Sequence, residues 1–162
     1  SDLFFERDTS RSDIDSDAQT VPRSTLQGVF HSGLKNNDFR RLSVLREGAR
    51  CSVMHLAAPP PKHDEEHILE RHESNFSAQN IMTNGISAAP LRLKLWRLQM
   101  EVTQELCAEI DVDFVAFPSI ARDSDGFLAT EFYAKDATHV NRECGHLLLS
   151  LIHKRAAELD RV

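Results

Sequence analysis

Asp136 and His139 stand three residues apart in the segment 133–145, YAKDATHVNRECG. A carboxylate at that spacing can accept a hydrogen bond from one imidazole nitrogen and fix the tautomer. The other nitrogen is then free to take a proton from a nucleophile. The pair follows an apolar, strand-like run, and in open α/β sheets ligand and catalytic groups gather beyond the carboxyl ends of the strands. A plainer role fits as well: Asp136 or Thr138 as the N-cap of the last helix, with His139 as its first residue. On spacing and position alone the cap is the commoner outcome, and both readings stay open. Asn141, two residues on, is of a type that braces a loop by bonding its backbone.

His63, Asp64, Glu65, Glu66 and His67 fit the H-x-x-E-H pattern of inverted zinc peptidases. On a helix His63 and His67 would share a face, with Glu66 close by, and could hold zinc. The five residues follow three prolines in a charged stretch, however, and a zinc peptidase needs far more chain around its metal. The expectation is a solvated charge run and no bound metal. Asp123, Ser124, Asp125 and Gly126 hint at a calcium loop but lack its third acidic position and distant glutamate, so a tight turn is expected. His55, among apolar neighbours, reads as a hydrogen-bonded core histidine and Trp96 as core. His72 shows no ligand geometry, and His146 and His153 are expected to face solvent.

The elements that must position these groups follow from periodicity. Residues 8–20 (DTSRSDIDSDAQT) are almost wholly polar and, with the rest of 1–20, read as a mobile segment ahead of a domain spanning 21–162. Pro22 suits the first turn of a helix. Leu26, Val29, Phe30 and Leu34 form its stripe, expected to break around Gly33. Asn37 or Asp38 can cap a second helix, with Phe39, Leu42 and Leu45 on its inner face. Residues 51–58 (CSVMHLAA) read as a strand buried on both faces, stopped by Pro59, Pro60 and Pro61. Residues 62–88 are mixed, a charged segment and then a loop around Asn84 and Gly85.

From Pro90 to about Ile110 two apolar stripes, one through Leu91 and Leu95 and one through Leu93 and Trp96, predict a helix packed on more than one side. Residues 112–117 (VDFVAF) form the second clear strand, stopped by Pro118. A last helix is expected over 139–159, with Val140, Cys144, Leu147, Leu148, Leu151 and Ile152 recurring on one side. This alternation predicts a parallel α/β arrangement in which 51–58 and 112–117 are adjacent or near-adjacent parallel strands. Residues 3–5 are a poor third strand. Common sheets hold about 4–6 strands, so the sequence looks like part of a domain, with apolar surface left uncovered.

A chain of 162 residues is one ordinary domain in size, and 41% hydrophobic content suits a globular protein. A net charge of −6 with scattered basic residues argues against nucleic acid. No apolar run approaches the roughly 20 residues of a membrane helix, and the acidic start is unlike a secretory signal. Cys51, Cys107 and Cys144 are widely spaced and read as reduced core cysteines of an intracellular, cytoplasmic protein.

The run LRLKLWRLQ (91–99), the strand VDFVAFP, the turn DSDGF and the block DATHVN come in the order found in the SGNH (GDSL-like) hydrolase family. The chain resembles that family over roughly residues 21–159, most specifically at DATHVN. The resemblance implies a flavodoxin-like three-layer parallel sheet, incomplete in this chain, with His139 as general base and Asp136 as its orienting carboxylate. It implies a small acyl, ester, thioester or acyl-carbohydrate substrate and no cofactor. The family's Gly-Asp-Ser nucleophile block, and the glycine and asparagine blocks of its oxyanion hole, have no counterpart here. None of Ser12, Ser52, Ser119 or Ser150 sits in such a context. Loss of a triad nucleophile costs about 10⁶-fold in related chemistry, so the chain alone is expected to be inert. The serine is expected upstream of this chain, and an N-terminal fragment or a homo-oligomer is the expected partner. The alternative is a non-catalytic SGNH-like module that binds an acyl or glycan ligand and completes its sheet with another chain.

Overall fold

The computed structural model describes residues 4–5, 20–72 and 81–160. Two short strands, β1 (Phe4–Phe5) and β2 (Thr20–Val21), open the chain. Helices α1 (Arg23–Leu34) and α2 (Arg40–Gly48) lead to strand β3 (Met54–Leu56). Two short helices, α3 (Glu65–Glu70) and α4 (Ile81–Asn84), precede the long α5 (Ala89–Glu109). Strand β4 (Asp113–Val115), two single 3-10 turns and helix α6 (Arg142–Leu159) complete it. The architecture is mixed α/β and mostly helical.

β3 and β4 pair in parallel, with Met54 opposite Asp113, His55 opposite Phe114 and Leu56 opposite Val115. The ladder continues past both ends through Asp113 N–H to the Val53 carbonyl and Ala57 N–H to the Val115 carbonyl, each 2.9 Å. The adjacency expected for 51–58 and 112–117 is present, although the strands are shorter, and all three β3 residues are half-buried rather than sealed on both faces. β1 and β2 form a separate parallel pair. The described residues thus hold two two-stranded pairs instead of one wide sheet. Thr20 is strand, not part of a polar loop; the polar run at 8–19 lies outside the described residues.

α5 is the element on which the rest is mounted. Val102, Leu106 and Cys107 on one side pack with Phe39 and Val112, and Phe30, Leu34, Leu42 and Phe114 close around them. Trp96 and Met100 reach a second cluster of Ala57, Phe117, Ala121, Leu128 and Cys144, which Leu148 of α6 joins. The helix is thus packed on two sides, as expected, although Cys107, at the end of the stripe through Leu93 and Trp96, packs with Val102 of the other stripe. Arg155 of α6 grips Asp113 of β4 with two parallel bonds, 2.8 and 2.6 Å, tying the last helix to the strand.

Several local expectations are corrected. Gly33 does not break the first helix: α1 runs through a π-helical turn, Lys35–Phe39, straight into α2. Asn37 caps nothing there; its side-chain N–H donates back to the Gly33 carbonyl at 2.8 Å, as a residue inside a helix can. The wider π turn shifts the phase of the apolar stripe, so Phe39 is buried while Leu45 is 59% exposed. Cys51 is exposed, on the bend before β3, and only Cys107 and Cys144 are core thiols. Helix α6 begins at Arg142 instead of His139, because Asn141 is its N-cap, accepting from Cys144 N–H at 3.1 Å.

Candidate functional site

The loop between the last 3-10 turn (Thr130–Phe132) and α6 carries the two residues singled out above. Its ends are pinned by main-chain bonds. Ala134 N–H donates to the His139 carbonyl at 3.1 Å, and Asn141 N–H to the Phe132 carbonyl at 2.8 Å. Asn141 adds a side-chain bond to the Glu131 carbonyl at 2.6 Å, so it braces the loop and caps the helix together. Within this frame Asp136 folds back on itself. Its Oδ1 accepts from the Thr138 and His139 N–H groups, at 3.1 and 2.7 Å, which is an Asx-type turn. Its Oδ2 lies 3.0 Å from His139 Nδ1.

An ionised carboxylate only accepts, so the short contact requires the proton on Nδ1 and makes Nε2 the basic nitrogen of the neutral ring. Partial burial pushes the Asp136 carboxyl up. The His139 and Thr138 backbone N–H groups, with the His139 ring, outweigh that and hold it below the usual carboxylate value. The carboxylate is therefore charged at neutral pH and oriented by bonds to its own loop. The imidazole is 73% exposed along its side chain. The Asp136–His139 contact allowed by the spacing is present, and the cap expectation is not met: Asp136 bonds backbone N–H groups of a turn, while Asn141 caps the helix.

The main support beneath this loop is a residue that sequence reasoning passed over. Lys62 directly follows the three prolines and is 2% exposed. Its Nζ donates to the Ala134 carbonyl at 3.1 Å and to the Asp136 carbonyl, and lies 4.9 Å from the centre of the Tyr133 ring. His67 Nε2 is 2.9 Å from the same Asp136 carbonyl, and its ring meets Tyr133 edge-on. The segment after β3 is held against the segment after β4 by Leu128 N–H to the Pro61 carbonyl, 3.1 Å. A lone lysine in a charged run carries no sequence signal for this. Its position beside a proline strap that must be buried is the one available hint.

The H-x-x-E-H pattern does not assemble a metal site. Asp64 caps α3 by accepting from His67 N–H at 2.9 Å, so His63 precedes the helix and cannot share its face. The His63 ring rests against Phe127 while His67 turns to Tyr133. Among the described residues no group of three His, Cys, Asp or Glu side chains converges. Asp123 Oδ1 accepts three successive N–H groups, from Asp125, Gly126 and Phe127, which makes the DSDG segment a tight turn. There Gly126 has φ +100°, and an added Cβ would meet Arg97 at 2.9 Å. His55 is stacked between Phe39 and Phe114, and its buried Nδ1 has no hydrogen-bond partner among the described residues. Burial lowers its pKa, with the Asp38 charge opposing. Among the described residues no helix is long and apolar enough to cross a membrane.

The chain matches no family model, no curated protein and no solved structure at a significant level.

Proposed function

We propose that this chain supplies the Asp–His pair of a serine ester or acyl hydrolase, His139 acting as general base and Asp136 as the carboxylate that orients it. The observation that carries the reading is the Asp136 Oδ2 to His139 Nδ1 contact of 3.0 Å, made by a carboxylate whose other oxygen is fixed by two backbone N–H groups. That contact leaves Nε2 to take the proton of a serine hydroxyl as its oxygen attacks the substrate carbonyl. The imidazolium so formed is stabilised by Asp136 and returns the proton to the leaving group, giving an acyl-enzyme that water cleaves by the same route. The serine and the oxyanion-hole donors come from polypeptide outside this sequence, which has no Gly-Asp-Ser segment. The parent domain would be the flavodoxin-like parallel sheet of the SGNH type, of which β3 and β4 form one part.

The protein isolated from its native source, with whatever polypeptide accompanies this sequence, should react with a fluorophosphonate probe at one serine. The isolated 162-residue chain should not. Labelling of the isolated chain at a defined serine would show that the nucleophile lies within it. No labelling of either would overturn the hydrolase reading.

A further inference from the structure

Beside the Asp136–His139 loop lies a cavity of about 490 Å³, between the prolines that end β3 and the first turns of α5. Its size is that of a small-molecule site, for which about 300–1,000 Å³ is usual. The wall is aliphatic for the most part, with Ile68, Ile81, Ile86 and Leu95 facing the prolines and Trp96 alongside. Ala137 and Thr138, the two residues between Asp136 and His139, form its edge.

The polar groups of this wall are largely committed to the protein itself. Lys62 spends its ammonium on the Ala134 and Asp136 carbonyls. The Trp96 indole N–H donates to the Ala58 carbonyl at 3.1 Å, so Trp96 offers a ligand only its ring. Arg92 Nη2 bonds the Lys62 and His63 carbonyls at 3.1 and 3.3 Å, and Nη1 bonds Glu65 and the Ser87 carbonyl. Arg92 Nε is buried and has no hydrogen-bond partner among the described residues. A buried donor without an acceptor is costly. With both cations engaged, the cavity is unsuited to a polyanion such as a nucleotide. Its aliphatic wall suits an apolar chain.

We propose that this cavity is an acyl-chain site for a medium-length, unbranched acyl group whose carbonyl end lies at the Thr138 edge. The assignment of the acyl class rests on the hydrolase reading above, while binding itself requires neither nucleophile nor base. Trp96 is the only tryptophan in the sequence, so its emission reports the cavity directly. Straight-chain fatty acids from butyrate to palmitate, each below its micelle concentration, should be titrated into the 162-residue chain. A saturable blue shift is expected, largest for octanoate to laurate. Ile86→Phe should move the optimum to shorter acids, and Ile68→Phe should do the same if the first variant folds poorly by circular dichroism. No saturable change at any length would overturn the proposal, as would a response that both well-folded variants leave unaltered or an equal response to benzoate. Binding as described in a protein that hydrolyses nothing would leave the site standing and remove only the enzyme.

Discussion

The ammonium group of Lys62 donates to the main-chain carbonyl of Asp136, joining the segment after β3 to the loop that carries the acid–histidine pair. The two residues are far apart in sequence, and the loop whose own N–H groups hold the Asp136 carboxylate is anchored on a lysine that is 2% exposed. A buried charge persists only when its donors are taken up, and here carbonyl oxygens and an aromatic ring take them.

Lys62→Met should therefore destabilise the protein by about 1–3 kcal/mol, the cost of leaving buried carbonyls without a donor. It should also raise the Asp136 carboxyl pKa toward the ordinary value, as the turn that feeds it N–H bonds loosens. Chemical denaturation and carboxyl carbon NMR measure the two effects. A variant of unchanged stability and unchanged Asp136 titration would show that the clamp is idle.

The pH dependence of the loop follows from the same carboxylate. Its folded pKa is held down by the His139 and Thr138 N–H groups against the upward push of burial. A depressed carboxyl contributes stability in full above its unfolded value of about 3.9, and that contribution fades as pH falls through the lower folded value. The side-chain carboxyl carbon of Asp136 should titrate with its midpoint below the unfolded value, and the bonds it accepts from Thr138 and His139 N–H should be lost only in that stronger acid. A carboxyl midpoint at or above the unfolded value would contradict the depressed carboxyl.

Thiol chemistry separates the three cysteines. Burial, helped by the Asp113 charge, pushes the Cys107 thiol up to about 11, and burial raises Cys144 as well. Cys51 is exposed. Since the thiolate is the reactive form, a disulfide reagent at neutral pH should modify one thiol per native chain, at Cys51. All three should react after denaturation, and two reacting in the native state would contradict the packing around α5.

The paired strands and the long two-faced helix were legible in the sequence because both patterns are strong. Apolar runs stopped by Pro59 and Pro118 bound the strands, and Leu98 and Val102 repeat at helical spacing alongside Trp96 and Met100. The helix junction is not legible in the sequence because Gly33 and Asn37 are breakers by residue type only. In place, packing of Phe30, Leu34 and Phe39 against α5 keeps the backbone helical through the π turn. Cys51 was misplaced because the apolar run outlasts the ladder by several residues. In the site, the Asp136–His139 spacing was visible as a local pattern, whereas the Lys62 clamp and the cavity at Arg92 depend on contacts between distant segments that no local pattern encodes.

The most direct test of His139 as general base is aryl-ester turnover by the native protein carrying single substitutions in the loop. His139→Ala should abolish turnover above buffer while the circular dichroism spectrum and melting temperature stay close to those of the parent. Asp136→Asn should lose less, up to about 10⁴-fold by comparison with a protease triad, because the exposed imidazole keeps its basic nitrogen when only its orienting partner is weakened. Turnover that survives His139→Ala within a few-fold of the parent would contradict the role given to this loop.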